Sequence, residues 1–175
     1  MIDKALHKES FFRDIDGVTA LALAAGNGLA AVIEVLKQKV RKRIIDVNAS
    51  CGASGMTALH YAVKYTLDAH IADDKNADDE AYSGYELHTA DEGHDTIAVV
   101  LSIRGIDVNQ YNRCGETALE FAVSQRNVLV VEALLKHEDM KISPDLLASS
   151  VKNPEILQLL RSYGEEKWFP DYENV

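Results

Sequence analysis

The side chains equipped for chemistry are two cysteines, six histidines and a large set of carboxylates. Cys51 and His60 are nine residues apart, and a thiol near an imidazole is the raw material of a nucleophile and its base. No wider catalytic pattern surrounds them. The chain has no G-x-S-x-G, no phosphate-binding glycine loop ending in G-K, no H-E-x-x-H and no G-x-G-x-x-G. His70, His88 and His94 lie in or beside an acidic run, the composition that suggests a metal ion. Their spacing matches no zinc motif, and the D-x-D-x-D-G order of calcium loops is absent. Cys51 and Cys114 have no C-x-x-C neighbour, and two cysteines make no disulfide framework. Both read as reduced thiols in loops. No catalytic residue, metal or cofactor is expected, and the chain is not expected to be an enzyme.

Composition narrows the class. The 175 residues are 47% hydrophobic, enough for one domain with a core. The net charge of −10 argues against nucleic-acid binding, which needs cations to displace counterions. No run nears the roughly 18 apolar residues of a membrane span. Met1 to Asp16 is charged and lacks the apolar block of a secretory signal. A monomer in the cytoplasm is the expectation, with neither nucleic acid nor membrane as partner.

The elements that position these residues come in repeats. Thr19-Ala20-Leu21-Ala22-Leu23-Ala24-Ala25 returns as Thr57-Ala58-Leu59-His60-Tyr61-Ala62-Val63 and as Thr117-Ala118-Leu119-Glu120-Phe121-Ala122-Val123. Gly17, Gly55 and Gly115 stand two residues before each threonine. Val32-Ile33-Glu34-Val35-Leu36 returns as Val130-Val131-Glu132-Ala133-Leu134, and Asp46-Val47-Asn48 as Asp107-Val108-Asn109. Glycine allows a tight turn, and threonine caps the helix that follows. Thr117 and Glu120 have capping-box spacing. Leu and Ala at spacings of three and four make one apolar stripe, with a second stripe on the Val/Ile/Leu run. Each unit therefore reads turn, short helix, loop, longer helix. One such pair cannot bury its own faces, so the pairs must stack.

These phrases resemble the ankyrin repeat, a β-turn finger plus two antiparallel helices in about 33 residues. The resemblance covers roughly residues 14–142. Alanine (20, 58, 118) replaces the usual proline after threonine, and only His60 keeps the usual histidine. The implied fold is an all-α ankyrin-repeat solenoid of stacked helix-turn-helix units with β-turn fingers. The implied domain spans 1–164. It has a cap helix over 3–13, with Ala5, Leu6 and Phe12 inward, and repeat one over 14–48. Repeat two covers 49–109 and repeat three 110–142. A C-terminal cap over 143–164 and a tail over 165–175 follow. The family binds proteins through finger tips and the exposed face of the first helices. That places Ile15, Asp16 and Val18 on finger one, Ser50, Ser54 and Met56 on finger two, and Tyr111, Arg113 and Glu116 on finger three. Asn27, Tyr65 and Gln125 end the first helices. His60 becomes a helix-start residue that hydrogen-bonds turn backbone, which removes it as a base.

Repeat spacing locates what is individual. Thr19 to Thr57 is 38 residues, with the excess in Lys37 to Ile45, where the second helix reads as extended. Thr57 to Thr117 is 60 residues, and the excess falls over 66–92. That segment holds nine carboxylates against one cation, Lys75, so it carries −8 of the net −10. It reads either as a solvated loop or as an acidic arm for a basic partner, with Tyr82 and Tyr85 as aromatic anchors. The first helix could also run on from Thr57 to Asp73, with the second starting before Gly93. Lys37, Lys39, Arg41, Lys42 and Arg43 form a basic run at the end of a second helix, complementing its dipole. The expected function is a protein-protein interaction module using Asp16, Val18, Met56, Tyr65, Tyr82, Tyr85, Tyr111, Arg113 and Glu116. Two settings fit: a bacterial effector resembling eukaryotic adaptors, translocated to a host cytosol, or an inhibitor or immunity-type protein blocking a basic target.

Overall fold

Each T-A-L phrase starts a helix. The computed structural model describes residues 14, 16–41, 45–73 and 90–168. In chain order the helices are α1 Ala20–Gly26, α2 Ala30–Arg41, α3 Ala58–Asp73, α4 Ala90–Leu101, α5 Ala118–Ser124, α6 Val128–Leu135, α7 Pro144–Ser149 and α8 Pro154–Trp168. A turn of 3-10 helix over Ser150–Lys152 joins the last two. The described residues are thus all-α, as expected. No helix among them is long and apolar enough to cross a membrane.

Capping explains the helix starts. The Thr19 hydroxyl accepts the Ala22 N–H at 3.2 Å. Thr117 and Glu120 form the full capping box, with bonds of 3.2 and 2.8 Å. Asn127 caps α6, and Ser143 caps α7 with Pro144 at its first position.

The inner helices α1, α3 and α5 pack in sequence, and the outer helices α2, α4, α6 and α8 do the same. Leu21, Leu59 and Leu119 are buried two residues after each threonine, and Ile33, Ile97, Val100, Val131 and Leu134 bury the outer layer. The alanines among them let neighbouring helices close up. Ile156 and Leu160 of α8 close the core at the far end.

The D-V-N phrases turn out to be clamps. Asn48 donates to the Gly105 carbonyl at 2.9 Å and accepts the Asp107 N–H at 2.8 Å. Asn109 repeats this one unit later, with the Asp139 carbonyl and the Lys141 N–H. One amide side chain thereby satisfies two backbone groups of the next unit's loop. Lys37 ties the outer helices too, reaching Glu34 and the Ser102 hydroxyl, each at 2.9 Å.

The helix bounds match the alternative in which the first helix of repeat two runs on to Asp73 and the second starts before Gly93. Residues 66–73 of the acidic segment belong to α3, and 90–92 begin α4. Thr66 is buried, its hydroxyl donating to the Val63 carbonyl at 2.6 Å. The interruption therefore starts after α3 rather than at Thr66. At the C-terminus, α8 runs past residue 164 to Trp168. The cap helix over 3–13, the tail from 169, and the interruption over 74–89 with Tyr82 and Tyr85 lie outside the described residues.

Candidate functional site

The fingers are built from backbone turns. Gly17, Gly55 and Gly115 take φ of 74°, 63° and 78°, a region that costs residues with a side chain. In finger one the Asp14 N–H donates to the Val18 carbonyl at 2.9 Å, and in finger three Asn112 does so to Glu116 at 2.9 Å. The Asp14 carboxylate accepts the N–H groups of Asp16 and Val18. The Asn112 side chain accepts those of Cys114 and Glu116. Finger two is one residue longer, pairing Cys51 with Met56, and has Gly52 where the others place Asp14 and Asn112.

His60 joins finger three to helix α3. A carbonyl only accepts, so Nε2–H donates to the Glu116 carbonyl at 3.0 Å. Nδ1 is then the acceptor for the Thr57 hydroxyl at 2.9 Å and the Thr57 N–H at 3.3 Å. Burial lowers the His60 pKa, partly opposed by the Glu116 carbonyl and carboxylate. Both ring nitrogens are committed to partners other than Cys51. The buried Cys51 thiol meets the Ala49 carbonyl at 3.3 Å and the Thr19 hydroxyl at 3.5 Å. Cys114 is exposed. Among the described residues no three His, Cys, Asp or Glu side chains converge as metal ligands.

The nominated binding residues separate into groups. Tyr111 is 60% exposed and projects from finger three, and Asp16 is exposed on finger one. Arg113 is exposed, but it is already used. Its N–H donates to the Ser54 carbonyl at 2.9 Å and its guanidinium to the Ala53 carbonyl at 3.0 Å. A methyl group at Gly55 would lie 2.7 Å from the Arg113 side chain, so this arginine packs finger three onto finger two. Glu116 is half-buried, its carboxylate accepting from Asn112 at 3.3 Å. Met56 is also half-buried.

Two nominated residues are not on the surface. Val18 is 8% exposed and belongs to the core, because the turn at Gly17 swings its side chain inward. Tyr65 is 8% exposed, its ring lying over Gly28, where a methyl group would run into it. Spacing placed Tyr65 at the end of a first helix, but α3 continues past it and buries it.

Sequence reasoning assigned no surface role to Leu23, Tyr61 and Phe121. Each stands four residues after the threonine that opens its repeated phrase, on the inner helices. That is two residues, about 200° of helix, from the buried leucines. Leu23 is exposed, and Tyr61 and Phe121 are half-buried. The Tyr61 hydroxyl lies beside Gly52 of finger two, and its ring packs on Gly26 of α1. Burial first, then Cys51 and the Asp14 and Asp16 carboxylates, push its hydroxyl pKa up. Tyr61 therefore makes the fingers and the inner-helix face one surface. A helical wheel of the repeated phrase, aligned on threonine, carries the signal for all three.

No family model matches the chain. It is similar to the ankyrin repeat domain-containing protein 13B of mouse and of human, at 32% identity over 138 residues in each case. The match covers 71% of this chain and 22% of either relative, so the chain spans about a fifth of the length of the relatives it matches.

Proposed function

The chain belongs to the ankyrin-repeat family, and from that premise we propose that it is a protein-binding module. We place its recognition surface along the fingers and the inner-helix face, from Leu23 through Tyr61 to Phe121, with Tyr111 at one edge. The observation that carries this reading is the repeated apolar or aromatic residue at one exposed or half-exposed position of three successive inner helices. Tyr61 and Phe121 pack partly against the core and leave the rest of each ring at the surface, while Leu23 stands outside the core cluster. Aromatic residues that are partly desolvated and rigidly held are the usual energetic anchors of interfaces. Tyr61 meets both conditions. Asp14 and Asp16, near the Tyr61 hydroxyl, favour a partner with a basic group next to its apolar contact.

The test is a comparative capture. Immobilised wild-type chain and the variants Leu23→Glu and Tyr111→Ala, each checked for unchanged circular dichroism, are exposed to the same lysates. Proteins held by the wild type and lost from both variants support the reading. Identical captures would remove it.

A further inference from the structure

The turn after α1 holds a dipeptide that is prone to react with itself. Asn27 is the one asparagine in the sequence that a glycine follows. In such a pair no side chain shields the glycine nitrogen, so it can attack the asparagine amide carbon. Asn27 is exposed and closes α1 in a Schellman turn. The Leu29 N–H donates to the Ala24 carbonyl at 2.9 Å, and the Gly28 N–H to the Ala25 carbonyl at 3.4 Å. The turn itself does not require these two residues. α5 ends in the same pair of bonds, from Asn127 to Ala122 and from Arg126 to Val123, with Gln125–Arg126 in place of Asn27–Gly28. There a longer side-chain amide, and a β-carbon on the residue after it, disfavour the same attack.

We propose that Asn27 is a site of spontaneous deamidation, gated by the Tyr65 ring that lies over the turn. The Gly28 nitrogen bonds to the Asn27 Cγ, the Cγ–Nδ2 bond breaks, and ammonia leaves with the Gly28 amide proton. Water then opens the cyclic imide to aspartate or isoaspartate at position 27. The closed turn resists the first step. Asn27 sits at ψ 14°, which turns the Gly28 nitrogen away from the Asn27 side chain. Its Nδ2 donates to the Leu23 carbonyl at 2.7 Å, which holds the amide back on α1. The buried Tyr65 ring of α3 packs against Gly28, so the backbone rotation that aligns the attack must displace it. The rate is therefore set by local opening of this turn. The product puts a carboxylate oxygen where an N–H served the Leu23 carbonyl, and that bond is lost. The new charge stands one helical turn beyond Leu23, which makes the finger-one end of the recognition surface more acidic. This last consequence rests on the surface proposed above; the chemistry and its gate do not.

Peptide mapping by mass spectrometry tests this on the full chain, sampled over days at neutral and mildly alkaline pH. Mass separates the event from isomerisation at Asp16–Gly17, where water leaves and returns and the mass is unchanged. The expected result is conversion at Asn27 ahead of every other asparagine, faster at the higher pH because the attacking nitrogen must lose its proton. It runs several-fold slower than in the urea-unfolded chain, and several-fold faster in folded Tyr65→Ala than in the wild type. If circular dichroism shows Tyr65→Ala to be unfolded, Tyr65→Leu, which keeps buried bulk without the ring, takes its place with the same expectation. No conversion at Asn27 in the wild type, or equal rates in the folded and urea-unfolded chains, would overturn the proposal. So would a rate in the Tyr65 variant equal to that of the wild type, which removes the gate. None of these readouts involves a partner, so a failure here leaves recognition along the Leu23–Tyr61–Phe121 row standing, and the reverse holds too.

Discussion

At His60 both ring nitrogens hold the same protonation state in place. Nε2–H serves the Glu116 carbonyl, and unprotonated Nδ1 receives the two Thr57 donors. A second proton on Nδ1 would face the Thr57 N–H and break that bond. Burial lowers the folded-state pKa, so the unfolded chain takes up the proton first as pH falls. The stability His60 contributes is complete above the unfolded value near 6.5 and is lost as pH drops through the lowered folded value. Urea unfolding at a series of pH values should show this acidic loss, reduced in a less stable His60→Gln variant. Position nine after the threonine gives a second residue-scale contrast. Gly28 and Arg126 both hold left-handed backbone there, at φ 67° and 59°. Gly28→Ala is expected to cost about 1–3 kcal/mol, from strain and from the Tyr65 ring beneath it. Arg126→Gly is expected to be stabilising by roughly 0.5–1 kcal/mol as αL strain is relieved. Denaturant midpoints at constant slope check both.

Among the elements, the loops between units rest on a few polar side chains. Asn48→Ala removes two bonds to the next loop and should cost about 1–2 kcal/mol, read from urea unfolding. A cost near zero would mean water replaces the clamp. Element types were legible before the structure, because threonine, glycine and the Leu/Ala stripe each have a local cause. The capping box at Thr117 and Glu120 follows from a spacing of three. Burial at Val18 and Tyr65 was not legible. It depends on where the Gly17 turn points and on how far α3 continues, which no local phrase encodes. The surface row at Leu23, Tyr61 and Phe121 was legible in principle. Those residues sit inside the phrase that marks the core, so their apolar character read as core.

For the whole molecule, α3 and α4 pack together although sixteen residues, 74–89, separate them in sequence. Their packing does not depend on the length of that connection, since each doubling of a loop costs only about 0.6 kcal/mol. Replacing 74–89 with a short Gly-Ser linker should leave the helical circular dichroism and the melting temperature nearly unchanged. Removing 66–92 instead takes out buried Thr66 and part of α3, and should lower the melting temperature clearly. Equal effects of the two deletions would contradict this division. The most direct measurement is hydrogen exchange of the full chain with and without a captured partner. Slowed exchange in α1, α3, α5 and the fingers, with α4 and α6 unchanged, is the result expected from recognition along the Leu23–Tyr61–Phe121 row. Slowing confined to the outer helices or to residues 74–89 would contradict it.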